Sequence, residues 1–139
     1  MRPTVGRLQL ATLDAGFSNG TVEASFGKVA QGAGAAFRCR DAQNCWWIEA
    51  VPAYATWAIE RTVNGRRLGV AHLPAVGAGS GSTIDVRMHG SRIEVFLNGI
   101  LRRTIDDPAL QHEHGSGLVV DGGHAGATWT SFRAAPEER

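Results

Sequence analysis

The sequence predicts an all-β protein, an antiparallel β-sandwich of short strands in one domain. Apolar and polar residues alternate with a period of two, no stretch shows helical periodicity, and glycine-containing turns recur at short intervals. The chain has 139 residues, of which 43% are hydrophobic and 19% charged, as in a single domain with its own core. We expect that core to span about residues 6–134, followed by a frayed tail at 135–139.

Turn signals divide the chain into strands. Asn64-Gly65 and Asn98-Gly99 each predict a tight two-residue hairpin, and Gly90-Ser91 a further turn. The stretch at 77–82 is glycine- and serine-rich and is interpreted as a loop inside the domain. Together these signals predict about nine to eleven strands. The expected strands lie at 6–12, 20–28, 34–40, 45–51, 55–62, 67–72, 84–89, 92–97, 100–105, 117–121 and 127–133.

Alternation also predicts which face each side chain takes. Glu49 is unlikely to be buried without a partner, so Trp46 and Ile48 should face the core. The same alternation places Cys39 inward and Cys45 outward, and we therefore expect two free thiols. Two further tryptophans, Trp57 and Trp129, are expected in the core. The outward set then comprises Arg38, Arg40, Trp47, Glu49 and, on a later strand, Phe96 facing Arg102.

Four segments, taken in order, resemble concanavalin A-like jelly-roll domains. F-R-C-R-D-A-Q-N at 37–44, followed by aromatics, is similar to the family's F-R-x-x-D-x-x-N hairpin, and V-R-M-H-G-S-R-I-E-V-F-L-N-G at 86–99 is similar to a second hairpin. D-A-G and G-T-V at 14–22 match an early segment, and G-L-V-V with W-T-S-F-R at 117–133 matches the closing one. The resemblance implies a laminin-G-like jelly roll. The family includes lectins, glucanases, adhesion modules and phage tail or virion-surface proteins.

No catalytic constellation lies along the chain, so we expect a protein that is not an enzyme. Glycosidases need two carboxyl groups about 5 Å or more apart, and no single strand carries acids at i and i+2 or i+4. The glucanase motif E-x-D-x-x-E is also missing. Pairs across strands, such as Glu49 with Glu60 or Asp85 with Glu94, remain open. A glucanase-like glycoside hydrolase is therefore kept as the alternative.

Metal-ligating residues are sparse, and we expect no cofactor. His112 and His114 share a face if they lie on a strand, and His124 would be a third ligand, but a polar loop is the preferred interpretation. Asp106-Asp107 and Asp121-Gly122-Gly123 supply too few oxygen atoms for calcium.

Recognition through a surface is the remaining function. An outward Trp47 beside Arg38, Arg40 and Glu49, with Tyr54 in the following loop, suits either sugar stacking or contact with another subunit. We therefore predict a non-catalytic surface module. It would be a glycan-binding or adhesion domain, or a structural subunit of a phage tail or virion that meets neighbouring protein subunits, with a homo-oligomer as one form.

Charge and hydropathy narrow the partners and the location. The net charge of +1 gives no basis for nucleic-acid binding, and no apolar run is long enough for membrane insertion. The N-terminal residues lack the apolar stretch of a signal peptide. We expect synthesis in the cytosol and a location at a virion or cell surface within an assembly.

Overall fold

The computed structural model describes residues 8–54, 56–73, 82–121 and 126–137. These residues form eleven β-strands and one short 3-10 helix, which confirms the predicted all-β class, and none belongs to a helix long and apolar enough to cross a membrane. The elements are β1 (Leu8–Asp14), β2 (Gly20–Lys28), β3 (Ala33–Asp41), β4 (Asn44–Val51), the 3-10 helix (Pro52–Tyr54), β5 (Thr56–Val63), β6 (Arg66–His72), β7 (Thr83–His89), β8 (Arg92–Leu97), β9 (Ile100–Asp106), β10 (Gly115–Asp121) and β11 (Thr128–Pro136).

The strands form two sheets, each antiparallel throughout. The six-stranded sheet has the order β1-β10-β3-β4-β5-β6, and the five-stranded sheet has the order β11-β2-β7-β8-β9. Consecutive hairpins build β3 to β6 and β7 to β9. The late strand β10 inserts between β1 and β3, and the last strand, β11, pairs with β2. This return of the chain beside its early strands makes the sandwich a jelly roll.

Apolar side chains from both inner faces form the core. Trp46 stacks on Phe37 with ring centroids 5.9 Å apart, and Phe26 lies 5.4 Å from Trp57. The buried indole of Trp46 donates from Nε1 to the carbonyl oxygen of Ala109 at 2.8 Å. Trp129 is partly buried and packs on the same core, so the core positions expected for Trp46, Trp57 and Trp129 are confirmed.

Both predicted Asn-Gly hairpins are present. Asn64 and Gly65 have φ of 52° and 79°, and Asn98 and Gly99 have φ of 52° and 83°. Two successive residues with positive φ define the turn whose twist matches that of paired strands, and asparagine followed by glycine tolerates it best. The Asn98 side chain also accepts a hydrogen bond from the backbone N–H of Thr83 at 2.8 Å.

The predicted orientation of Cys39 and the expected free thiols are wrong. Arg38 has a left-handed φ of 48°, and the pairing of β3 with β4 jumps there from Phe37–Trp46 to Asp41–Asn44. This bulge breaks the alternation, so Phe37 faces the core while Cys39 joins Cys45 on the outer face. The two cysteines are linked by a disulfide, and the described residues contain no free thiol.

Candidate functional site

A cluster of charged side chains surrounds a tryptophan on the outer face of the six-stranded sheet. Four strands supply its members: Trp47 and Glu49 from β4, Glu60 from β5, Arg67 from β6 and Asp121 from β10. We call these five residues the Arg67 cluster. β3 separates β10 from β4, and it carries a glycine, Gly34, directly opposite Glu49. No side chain at that position stands between Glu49 and β10.

The guanidinium of Arg67 joins the cluster together. Its Nε donates to Glu60 Oε1 at 2.8 Å, its Nη1 to Asp121 Oδ1 at 3.0 Å and its Nη2 to Glu49 Oε1 at 3.4 Å, with a second short bond to Asp121. Hydrogen bonding to Asp121 raises the pKa of Arg67. The guanidinium carbon lies 5.0 Å from the centre of the Trp47 ring, which is cation–π distance. The Arg67 side chain is 36% exposed, so one part of it faces solvent.

Glu49 is the most perturbed acid of the cluster. Its residue is 4% exposed, and its Oε1 accepts a hydrogen bond from Trp47 Nε1 at 2.8 Å. Burial, together with the nearby carboxyl groups of Asp121 and Glu60, raises the pKa of Glu49 to about 9. Glu49 is therefore protonated at neutral pH, and the network then holds one guanidinium against two carboxylates.

The three carboxyl groups have the spacing of a cation site. One oxygen atom from each of Glu49, Glu60 and Asp121 lies within 4.8 Å of the others, and no other group of this kind occurs in the part of the chain that the structure describes. Arg67 nitrogen atoms already bond to all three. A partly buried ion-pair network accounts for the arrangement, because the guanidinium supplies the positive charge that a metal ion would supply.

Three of the predicted site residues are not exposed, contrary to expectation. Trp47 lies on the outer face but has no exposed surface, and Glu49 is buried beside it. Arg38 is 1% exposed because the bulge turns it away from that face, and its Nε donates to the carbonyl oxygen of Ser18 at 3.1 Å. The sequence pattern could not show this, since a covering arginine on β6 and a left-handed residue in β3 leave no trace in the alternation.

Arg40 and Tyr54 are exposed but lie outside the Arg67 cluster. Arg40 is 3.8 Å from carboxylate oxygens of Asp41 and of Glu113, and Tyr54, in the 3-10 helix, is 81% exposed. Phe96 lies on the outer face of the five-stranded sheet, where Arg87 rather than the expected Arg102 covers its ring, at 4.1 Å.

Of the three candidate histidine ligands, the structure describes two. His112 and His114 lie in the connection between β9 and β10 rather than on a strand, and His124, Gly122 and Gly123 fall outside the described residues. In the Asp106-Asp107 pair, which was a calcium candidate, Asp107 forms an ion pair with Arg61, whose Nε lies 3.1 Å from Asp107 Oδ2.

The close approach of Glu49 and Glu60, which the sequence left open, is observed. The sequence does not indicate Arg67 as a site residue, and it indicates Asp121 only as a weak calcium candidate. No spacing along the chain relates residues on β4, β6 and β10.

The architecture defines a concanavalin A-like jelly-roll β-sandwich, the fold of lectin-type domains. A carbohydrate-binding module, CBM66 from Bacillus subtilis, is similar over 89% of this chain and 76% of its own, with a TM-score of 0.72 and 16% identity. Sheep galectin-11, solved with glycerol, is similar over 95% and 98%, with a TM-score of 0.59 and 12% identity. Galectin LEC-6 of Caenorhabditis elegans matches over 92% and 99%, with a TM-score of 0.60 and 14% identity. No protein-family model and no curated protein sequence matches the chain.

Proposed function

We propose that this domain binds glycans and that the Arg67 cluster is its binding site. The observation that carries the proposal is the state of the Arg67 guanidinium. Glu60 and Asp121 hold it over the Trp47 ring, yet 36% of the side chain stays accessible. Strongly perturbed pKa values beside specific charge partners are common at functional sites, and Glu49 has such a value.

Sugar hydroxyl groups both donate and accept hydrogen bonds, and the cluster offers both functions. The exposed part of Arg67 would donate, and the Glu60 carboxylate, whose side chain is 14% exposed, would accept. Hydrogen bonds to charged groups are roughly twice as strong as those between neutral groups. Because Arg67 is already fixed by its partners, binding would cost little side-chain entropy.

The similar structures support this choice among the functions that a β-sandwich can have. One is named as a carbohydrate-binding module, and a galectin was solved with glycerol, a small polyol. Identities of 12–16% indicate a shared fold, so the assignment of a ligand to this chain depends on its own residues.

The glycoside hydrolase remains the alternative with one observation in its favour, the proximity of Glu49, Glu60 and Asp121. A hydrolase needs carboxyl groups that reach the scissile bond and its water. Glu49 and Asp121 are less than a tenth exposed and are bonded to Arg67. Their burial favours binding over catalysis.

The structural subunit of a phage tail or virion is the other role open to a surface module. An exposed Trp47 would have suited contact with a neighbouring subunit as well as sugar stacking, and the burial of Trp47 removes that argument for both roles. The large exposed apolar residues that the structure does describe are Tyr54, Leu68, Ile100 and Leu101. Nothing in the structure identifies what would contact them, so the assembly role stays a prediction.

A glycan array followed by calorimetric titration tests the proposal. Arg67→Ala should weaken binding of any retained glycan about 10- to 100-fold, the effect of losing one or two charge-assisted hydrogen bonds. Arg66→Ala is the matched control, because Arg66 is the adjacent arginine on β6, is exposed and does not belong to the cluster. Arg67→Lys keeps the charge and should bind at intermediate strength.

The fold of each variant is checked by its unfolding curve, and Arg67→Lys serves if Arg67→Ala is unstable. Failure of the wild-type protein to retain any glycan would refute the proposal. Equal binding by a folded Arg67→Ala variant would show that the site lies elsewhere.

A further inference from the structure

The outer face of the five-stranded sheet contains a groove of about 660 Å³, on the opposite side of the sandwich from the Arg67 cluster. Small-molecule sites commonly measure about 300–1,000 Å³. Strands β2, β7, β8 and β11 supply the lining residues, together with Glu137 directly after β11. The core and both sheets separate this groove from Arg67, so a small ligand cannot contact both.

The depression follows from side-chain size along the strand register. Ala135 of β11 pairs with Thr21 of β2, so the row across the groove is small on these two strands, and it continues into the longer Arg87 of β7 and Glu94 of β8. Rows of longer side chains lie on either side of it. One flanking row contains Arg133 opposite Glu23. The other contains Arg92 opposite His89. Long side chains therefore form the walls, and small ones form the floor.

Four charged side chains that line the groove have no partner. Within the described residues, no hydrogen bond or ion pair involves the side chain of Glu23, Arg92, Glu94 or Arg133. Two cross-strand ion pairs would be possible here, since Arg133 is directly opposite Glu23 and Arg87 is directly opposite Glu94. Opposite charges in that relation usually attract each other.

The reason for the free Glu94 is the orientation of Arg87. Its Nη2 bonds to Asp85, two residues earlier on the same strand, at 3.2 Å, and its guanidinium covers Phe96. Glu94 is left facing the groove. The His89 side chain already has a partner within the protein, because its Nδ1 is 2.8 Å from Glu137 Oε2.

We infer that this groove is a second binding site, which takes a neutral polyhydroxylated ligand such as a short oligosaccharide. Two guanidinium groups, on Arg92 and Arg133, offer N–H donors, while the carboxylates of Glu23 and Glu94 offer acceptors. Three arginines and three glutamates line the groove, so it favours neither anions nor cations. A ligand whose hydroxyl groups both donate and accept matches this set.

The consequence is bivalency. A single chain with one site on each outer face could join two glycans without forming an oligomer. The inference does not depend on the Arg67 site, since its residues, its groove and its register belong to the other sheet.

Chemical-shift mapping on the ¹⁵N-labelled protein tests the two faces separately. The probes are galactose, lactose, sucrose and fructose, with glucuronate as the anionic comparison. We expect at least one neutral sugar to shift backbone amides of β2, β7 and β11 around the groove, and glucuronate to shift them less. Arg92→Ala and Arg133→Ala should each weaken this response about tenfold, as expected for one lost charge-assisted bond.

Arg103→Ala is the matched control, because Arg103 is exposed on β9 and does not line the groove. Shifts confined to β4, β5 and β6 would refute the second site and leave the Arg67 proposal intact. Shifts confined to the groove would support the second site and contradict the Arg67 proposal. Groove shifts that persist unchanged in both arginine variants, equal shifts with glucuronate, or no response to any probe would overturn the inference.

Discussion

Because the pKa of Glu49 is raised in the folded protein, the stability of this domain should fall as the pH rises. The folded protein holds the proton on Glu49 up to about pH 9, whereas an unfolded chain releases it near the ordinary pKa of 4.5. Between these values the folded state binds one more proton than the unfolded state, so the free energy of unfolding decreases with pH. The stabilisation from protonated Glu49 is complete below pH 4.5 and is lost as the pH passes through about 9.

The size of the effect follows from the interval between the two pKa values. A slope of about 1.4 kcal/mol per pH unit, over four units from about pH 5 to about pH 9, gives a loss of up to about 5 kcal/mol. Glu49→Gln removes the titrating group but keeps an acceptor for Trp47 Nε1. The free energy of unfolding of this variant should therefore not decrease between about pH 5 and about pH 9 in the way expected for the wild type. Glu49→Ala leaves Trp47 Nε1 and Arg67 without that acceptor and should cost about 1–3 kcal/mol.

Urea unfolding followed by tryptophan fluorescence at several pH values measures the difference between wild type and Glu49→Gln. Glu94→Gln is the control, because it makes the same change at a partnerless glutamate on the other sheet. Parallel pH profiles for wild type and Glu49→Gln would refute the reasoning. Such a result would mean that Arg67 keeps Glu49 ionised in the folded protein.

Two further predictions concern the β3–β4 region. The disulfide joins cysteines with a sequence separation of 6, so its reduction should lower the free energy of unfolding of the wild-type protein by about 2 kcal/mol. The Cys39→Ser/Cys45→Ser variant is the control, and its stability should not change when dithiothreitol is added. An unchanged unfolding midpoint after verified reduction would contradict this. A Cβ at Gly34 would lie 1.7 Å from the carbonyl oxygen of Ile48, so Gly34→Ala should destabilise the sheet. Gly69→Ala is the control, because a Cβ there would meet no atom within 4 Å, and its effect should be far smaller. Equal thermal midpoints for the two variants would disprove this prediction.

Local chemistry was sufficient to predict much of the fold. The Asn-Gly turns need no tertiary partner, because each is favoured by the backbone of its own two residues. In β7 and β8 an apolar residue stands at every second position, and the structure buries Ile84, Val86, Ile93 and Val95, since a strand with one buried face has no other arrangement for them. The pairing of β10 with β1 and β3 is not local, and no pattern along the chain specifies it.

The candidate site, in contrast, depends on contacts between strands that are far apart in the sequence. Glu49 and Glu60 could be suspected as a pair because β4 and β5 are consecutive and pair as a hairpin. Asp121 joins them only because β10 lies beside β3, 72 positions along the chain from Glu49 (121 − 49). The burial of Trp47 likewise depends on contacts made by other strands, including Arg67 from β6.

The sequence by itself determined a single kind of architecture, a sandwich of short antiparallel strands, because hydrophobic alternation and turn residues act over a few positions. Only the tertiary structure decided that Cys39 and Cys45 share a face, since one left-handed residue, Arg38, reverses the alternation between them. It also decided that Trp47 is a buried support for Arg67 rather than an exposed surface. Burial and ionisation depend on which strands meet across the sheet, and that is a property of the whole fold.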